Sequence, residues 1–224
     1  MFRSRFEKLL PHIPMPPYRG LQILLMPIIL GDNKSIPEKD CIPMLDAMAF
    51  AKPEHCGQVV YLTIDQKLVK ANKSHRRPRM HVDGYHLTES QGSGGTWGGG
   101  GGGWGGGRTG ETWMDGTGLL TVSDVPGCRA WNQIFYGEPA VEGDCEHLRN
   151  QCKGNGTILE PRQLYWFSPS CVHESLIQKH NVQRTFIRVS LPSKCDWYEG
   201  CTPNPLGIMP TGKIQKQRRF LNEE

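Results

Sequence analysis

Gln183-Arg184-Thr185-Phe186-Ile187-Arg188-Val189-Ser190-Leu191 is the stretch on which the fold turns. Successive side chains of an extended strand point to opposite faces. Arg184, Phe186, Arg188 and Ser190 therefore share one face, and Thr185, Ile187, Val189 and Leu191 the other. A one-residue slip would exchange the two faces, so packing of the apolar set pins the register and turns the arginine face inward. An inward guanidinium is expensive to bury unless an anion meets it. Its planar fork matches the two oxygens of a carboxylate.

Working outward, further strand-like runs bounded by turn residues occupy 118–123, 128–136 and 163–168, and 57–70 alternates Val59, Tyr61 and Ile64 with polar neighbours. With 27 glycines, 17 prolines and 37% hydrophobic residues, the chain favours turn-rich β structure over a helical bundle. Its 224 residues suit one domain with a real core. The expected class is all-β dominated with minor α. Residues 1–56 form a proline-rich lead-in packed on the core, with a buried strand over 21–30 and a short helix over 44–51. Residues 57–192 are the principal domain, and 193–224 a C-terminal extension that frays from Thr211 onward. Within the domain, 143–152 predicts one or two helical turns with Asp144 as N-cap. The run GSGGTWGGGGGGWGGG over 92–107 has almost no side chains to bury and predicts a loop. Trp97 and Trp104 within it would anchor the loop or form a lid; a glycine-tolerant insertion is the simpler alternative.

His81-Val82-Asp83 carries the chemistry. Residues i and i+2 of a strand share a face, so imidazole and carboxylate converge. Non-haem Fe(II) enzymes that activate dioxygen use three protein ligands on one side of the metal and leave the other positions open. His75, His86, His147, His173 and His180 are available as the third ligand. His173 is the best placed, after Tyr165-Trp166-Phe167-Ser168 and before the arginine strand.

This ordered set, H-x-D, a distant histidine, then Arg and R-x-S on the next strand, resembles the 2-oxoglutarate and Fe(II)-dependent dioxygenase superfamily over about residues 57–192. The resemblance implies a double-stranded β-helix, or jelly roll, with the metal near one open end. It makes His81, Asp83 and His173 the Fe(II) ligands. Arg184 is the first choice for the distal carboxylate of 2-oxoglutarate; Arg188, with Ser190 in the R-x-S pattern, is the second. The implied reaction consumes dioxygen, decarboxylates the cosubstrate to succinate, and hydroxylates or demethylates a substrate that the sequence does not name. Two alternatives keep the barrel but not this chemistry: a binding or structural jelly-roll module, and a cupin-type metalloenzyme that needs no 2-oxoglutarate.

The remaining features bound the partners. A formal charge of +4 permits a nucleic-acid partner without demanding one. The basic link over 73–79, just before His81, stands where it would receive a phosphate-bearing or acidic substrate; a solvated charge cluster is the plainer expectation. Eight dispersed cysteines with no C-x-x-C pair suit reduced thiols in an intracellular, cytoplasmic protein. The apolar run over 21–30 is interrupted by Gln22 and Pro27 and lacks a small-residue cleavage site, so it is neither secretory signal nor membrane span. Tyr61, Trp131 and Trp166 are expected in the core, and Glu146-His147 in a structural role.

Overall fold

The computed structural model describes residues 1–83, 86–87, 95–96, 118–140, 143–191, 197–198, 200–211 and 214–215. Apart from 95–96, the glycine-rich run and both of its tryptophans lie outside these residues, as do 216–224 of the tail. The strands are Phe2–Ser4 (β1), Phe6–Lys8 (β2), Gln22–Ile29 (β3), Val59–Val69 (β4), His86–Leu87 (β5), Gly95–Thr96 (β6), Leu119–Ser123 (β7), Cys128–Ala130 (β8), Gln133–Phe135 (β9), Thr157–Ile158 (β10), Tyr165–Phe167 (β11), His173–Ser175 (β12), Val182–Ser190 (β13), Trp197–Tyr198 (β14) and Ile214–Gln215 (β15). Among the described residues one α-helix, Ile42–Ala51 (α1), joins them. Sheet dominates, the principal sheets are antiparallel, and the strands do not close into a barrel.

The largest sheet has the order β2-β11-β7-β13-β4-β3. Strand β13 sits at its centre, paired with β4 from Val182↔Val69 to Ser190↔Tyr61 and with β7 from Phe186↔Ser123 to Ser190↔Leu119. The alternation expected for β13 holds. Ile187 and Val189 join Leu62, Ile64, Leu120 and Val122 on an apolar face, which α1 covers with Met44, Leu45 and Met48. Each such side chain contributes about 1.5–3 kcal/mol when fully buried. Pro43 stands in the first turn of α1, where its missing N–H costs nothing. Pro53, immediately beyond, prevents the helix from continuing.

The lead-in contributes more than cover. Residues 2–8, for which no strand was expected, form β1, paired with β9, and β2, which edges the large sheet against β11. At the other edge, β3 tolerates Pro27 because an edge strand has unpaired positions. A bulge between Ile23 and Met26 puts Leu25 at φ +49°, and the Thr63 and Thr202 hydroxyls accept from the Leu25 and Leu24 N–H groups there. Asn204 donates to Pro27 O and Ser35 O, which fastens residues 201–204 to this edge.

A smaller sheet, β10-β8-β12, lies across the opposite face. It is extended past β12 by the bridges His173↔His81 and His81↔Asp144. The functional side chains sit between this sheet and the polar face of β13. No helix among the described residues is long and apolar enough to cross a membrane.

Candidate metal centre

His81 and His173 face each other across two antiparallel segments. Each donates its backbone N–H to the other's carbonyl at 2.9 Å. Directly opposed residues project to the same side, and the two rings lie 4.3 Å apart, centre to centre. Each Nδ1 meets a backbone carbonyl: Arg79 O at 2.6 Å for His81, and Cys171 O at 2.9 Å for His173. A carbonyl can only accept, so Nδ1 carries the proton and Nε2 presents its lone pair. This is how metal-binding histidines are held in the ligating tautomer. Burial pushes both imidazoles below their ordinary pKa, which keeps them neutral, the form that binds metal.

Asp83 closes the set. Its Oδ1 lies 3.8 Å from His81 Nε2 and its Oδ2 3.7 Å from His173 Nε2, too far for hydrogen bonds. The three ligand atoms fall within 4.8 Å of one another and could hold a metal ion. Ligands on one face of a metal at about 2.1 Å stand about 3 Å apart, so metal binding needs the pairs to close by no more than about 2 Å. Burial works against the Asp83 charge, but the Arg188 guanidinium, with Nη1 2.9 Å from Oδ2, holds the carboxyl well below the usual range. Asp83 is thus an anion restrained at one oxygen, with the other turned toward His81.

Arg184 lies four residues back along β13 on the same face, about 13 Å of strand rise from Arg188. It is only 1% exposed. Nε donates to Ser123 Oγ at 2.9 Å, and Nη1 has no hydrogen-bond partner among the described residues. Among the described residues no carboxylate forms an ion pair with it. Gly127 lies against the guanidinium so closely that a Cβ there would be 2.1 Å from Cζ. A small cavity opens on Arg184, lined also by Ser123, Thr121, Gln163, Tyr165 and Cys128. A buried cation with an unused N–H aimed at a cavity is costly to hold, and an anion there would offset that cost.

The two arginines that share a face in the sequence are therefore engaged differently: Arg188 with Asp83, Arg184 with the cavity. Ser190 lies on the same face, 2% exposed, with no hydrogen-bond partner for Oγ among the described residues. Tyr61, Trp131 and Trp166 are buried, as expected of core aromatics. His147 Nε2 donates to the Glu138 carbonyl, and Glu146 pairs with Arg149 and accepts the Met80 N–H, so among the described residues neither joins the triad. The helical turn over Glu146–Gln151 is 3-10, and Asp144 accepts from the Glu146 N–H. The seven described cysteines are free thiols; Cys195 lies outside the described residues.

Two features near the site had no sequence signal. Buried Glu174 on β12 bridges Arg129 and Arg149. Buried Asp65 on β4 gathers His75 at 3.0 Å and Arg76 at 3.2 Å. Neither has a motif, because each joins partners remote in sequence. When the chain is compared with known proteins, no family model, curated protein or solved structure matches it.

Proposed function

We propose that this chain is an Fe(II)- and 2-oxoglutarate-dependent oxygenase, of hydroxylase or demethylase type, built on a jelly roll. The order of strands supports the fold. Four neighbours of the large sheet, β11-β7-β13-β4, face a second row formed by β10, β8, β12 and the His81 segment. Along the chain these eight segments pass between the rows as the paired Greek keys of a jelly roll do.

The observation that carries the function is Arg184: a buried guanidinium with an unused N–H facing a cavity, on the strand whose other arginine grips a triad ligand. The residues present fit the implied groups. Two neutral imidazoles and one carboxylate are the donor set that leaves open positions on non-haem iron. An Arg184 fork bonded to Ser123 Oγ, in a cavity lined also by Thr121 and Tyr165, suits the far carboxylate of a dicarboxylate. Fe(II) with 2-oxoglutarate would supply oxidation of an unactivated C–H bond, coupled to decarboxylation of the cosubstrate. The protein's part is placement. The Arg79 and Cys171 carbonyls fix the tautomers, Arg188 fixes Asp83, and Phe167, stacked edge-on at 5.2 Å from His173, closes one side against water.

Calorimetry of 2-oxoglutarate against the anaerobic Fe(II) protein tests this reading. One site is expected, lost in Arg184→Ala and kept in a surface variant such as Lys34→Ala. Metal-dependent oxygen uptake with no requirement for 2-oxoglutarate would instead indicate a cupin-type enzyme. Absence of metal binding would indicate a binding or structural module.

A further inference from the structure

Residues 66–82, QKLVKANKSHRRPRMHV, hold six Lys and Arg and no acidic residue, and 175–183, SLIQKHNVQ, hold none either. The fold lays these two acid-free stretches side by side. Asn72 N–H donates to Gln178 O at 2.7 Å, Gln178 N–H to Lys73 O at 2.9 Å, and Ser175 N–H to Arg77 O at 3.1 Å. The turns over 70–73 and 178–181 form one end of this strip, and His81 and His173 form the other. Lys70, Lys73 and Lys179 are exposed at the turns and have no carboxylate partner among the described residues. Farther in, Lys67 and Arg76 share the single carboxylate of Asp65, and Arg188 takes that of Asp83. The charge of Arg77 reaches all three triad residues.

Metal and dicarboxylate would cancel each other's charge, so loading the site as proposed above would leave this surplus of cations in place. A cationic strip that begins on an exposed lysine turn and runs toward the centre, its cations outnumbering the Asp65 and Asp144 carboxylates that meet Lys67, Arg76 and Arg79, fits a chain of phosphates better than a single anion. Facing sheets pack about 10 Å apart, too close to admit a duplex, so only an unpaired strand or an extruded nucleotide reaches the triad.

We propose that the strip from Lys70, Lys73 and Lys179 to His81 binds the phosphodiester backbone of single-stranded nucleic acid and delivers a nucleotide to the metal centre. This rests on the reading of the triad as a reactive site, yet the binding it predicts needs neither metal nor cosubstrate.

The test is fluorescence anisotropy of a labelled 15-nucleotide single strand with the full chain, from 50 to 200 mM salt. Lys70→Gln/Lys73→Gln/Lys179→Gln is compared with wild type. Each phosphate contact adds about 0.7 to the slope of log affinity against log salt, so the triple variant should lose about 2 from it. Wild-type affinity should then fall about 20-fold more steeply than the variant's over that range. Lys34→Gln, on an exposed turn away from the strip, should bind the strand like wild type. No salt-dependent binding, an unchanged slope in the triple variant, or binding only to anionic phosphatidylserine vesicles would each overturn the proposal. The triple variant should still take up Fe(II) and 2-oxoglutarate like wild type. Loss of cosubstrate binding in wild type would count against the oxygenase reading alone.

Discussion

Gly127→Ala should disable the cavity proposed to take the cosubstrate without removing a polar group. An added Cβ would lie 2.1 Å from Arg184 Cζ, 2.4 Å from Nη2 and 2.6 Å from Nε. Ordinary contact needs about 3.5–4 Å, so the guanidinium must retreat by more than about 1 Å. A flexible side chain in solvent would do so freely. Arg184 is 1% exposed, tied to Ser123 Oγ at 2.9 Å and seated 5.7 Å from the centre of the Phe186 ring, so its retreat breaks the fixed geometry. Overpacking of this kind costs about 1–3 kcal/mol of stability. A hydrogen bond to a charged group contributes about 1.5–3 kcal/mol, so losing one to the cosubstrate weakens binding about 10- to 150-fold. Urea denaturation measures the first effect, and anaerobic calorimetry with 2-oxoglutarate the second. Gly127 has no left-handed φ, so the backbone itself accepts alanine. Wild-type stability together with wild-type cosubstrate affinity would refute the placement of Arg184.

Two further predictions concern buried charge. Arg188→Met leaves Asp83 buried without its guanidinium and should cost about 3–5 kcal/mol in urea denaturation, most of it recovered in Asp83→Asn/Arg188→Met; a double variant no better than the single would show the pair is not the cause. Burial pushes His75 below its ordinary pKa, against the opposing pull of Asp65. The unfolded chain then takes up a proton first as pH drops below about 6.5, and the folded state loses stability at up to about 1.4 kcal/mol per pH unit. His75→Gln should flatten the decline between pH 6.5 and 5 in denaturation midpoints, and an unchanged profile would remove His75 as its source.

How far these features were legible in the sequence depends on their range. The alternation of Arg184 to Leu191 is local, and β13 follows it residue by residue. His81 and Asp83, two apart, needed only strand geometry to be placed together. The pairing of His81 with His173 is not local: it rests on a distant strand, and reciprocal backbone bonds join the two residues. The division of labour between Arg184 and Arg188 was not legible, because it depends on depth along β13 relative to Asp83, which only the stacking of the two sheets sets. Residues 2–8 read as lead-in because three-residue strands carry too little pattern to stand out. Asp65 and Glu174 looked like ordinary strand carboxylates; their burial follows from cations brought in from other segments.

The most direct test of the central claim is the visible spectrum of the protein titrated anaerobically with Fe(II) and 2-oxoglutarate. A weak charge-transfer band that requires both, saturates at one equivalent and is absent in His81→Ala is the predicted result. An intact, folded protein that binds Fe(II) yet shows no band at saturating 2-oxoglutarate would contradict it.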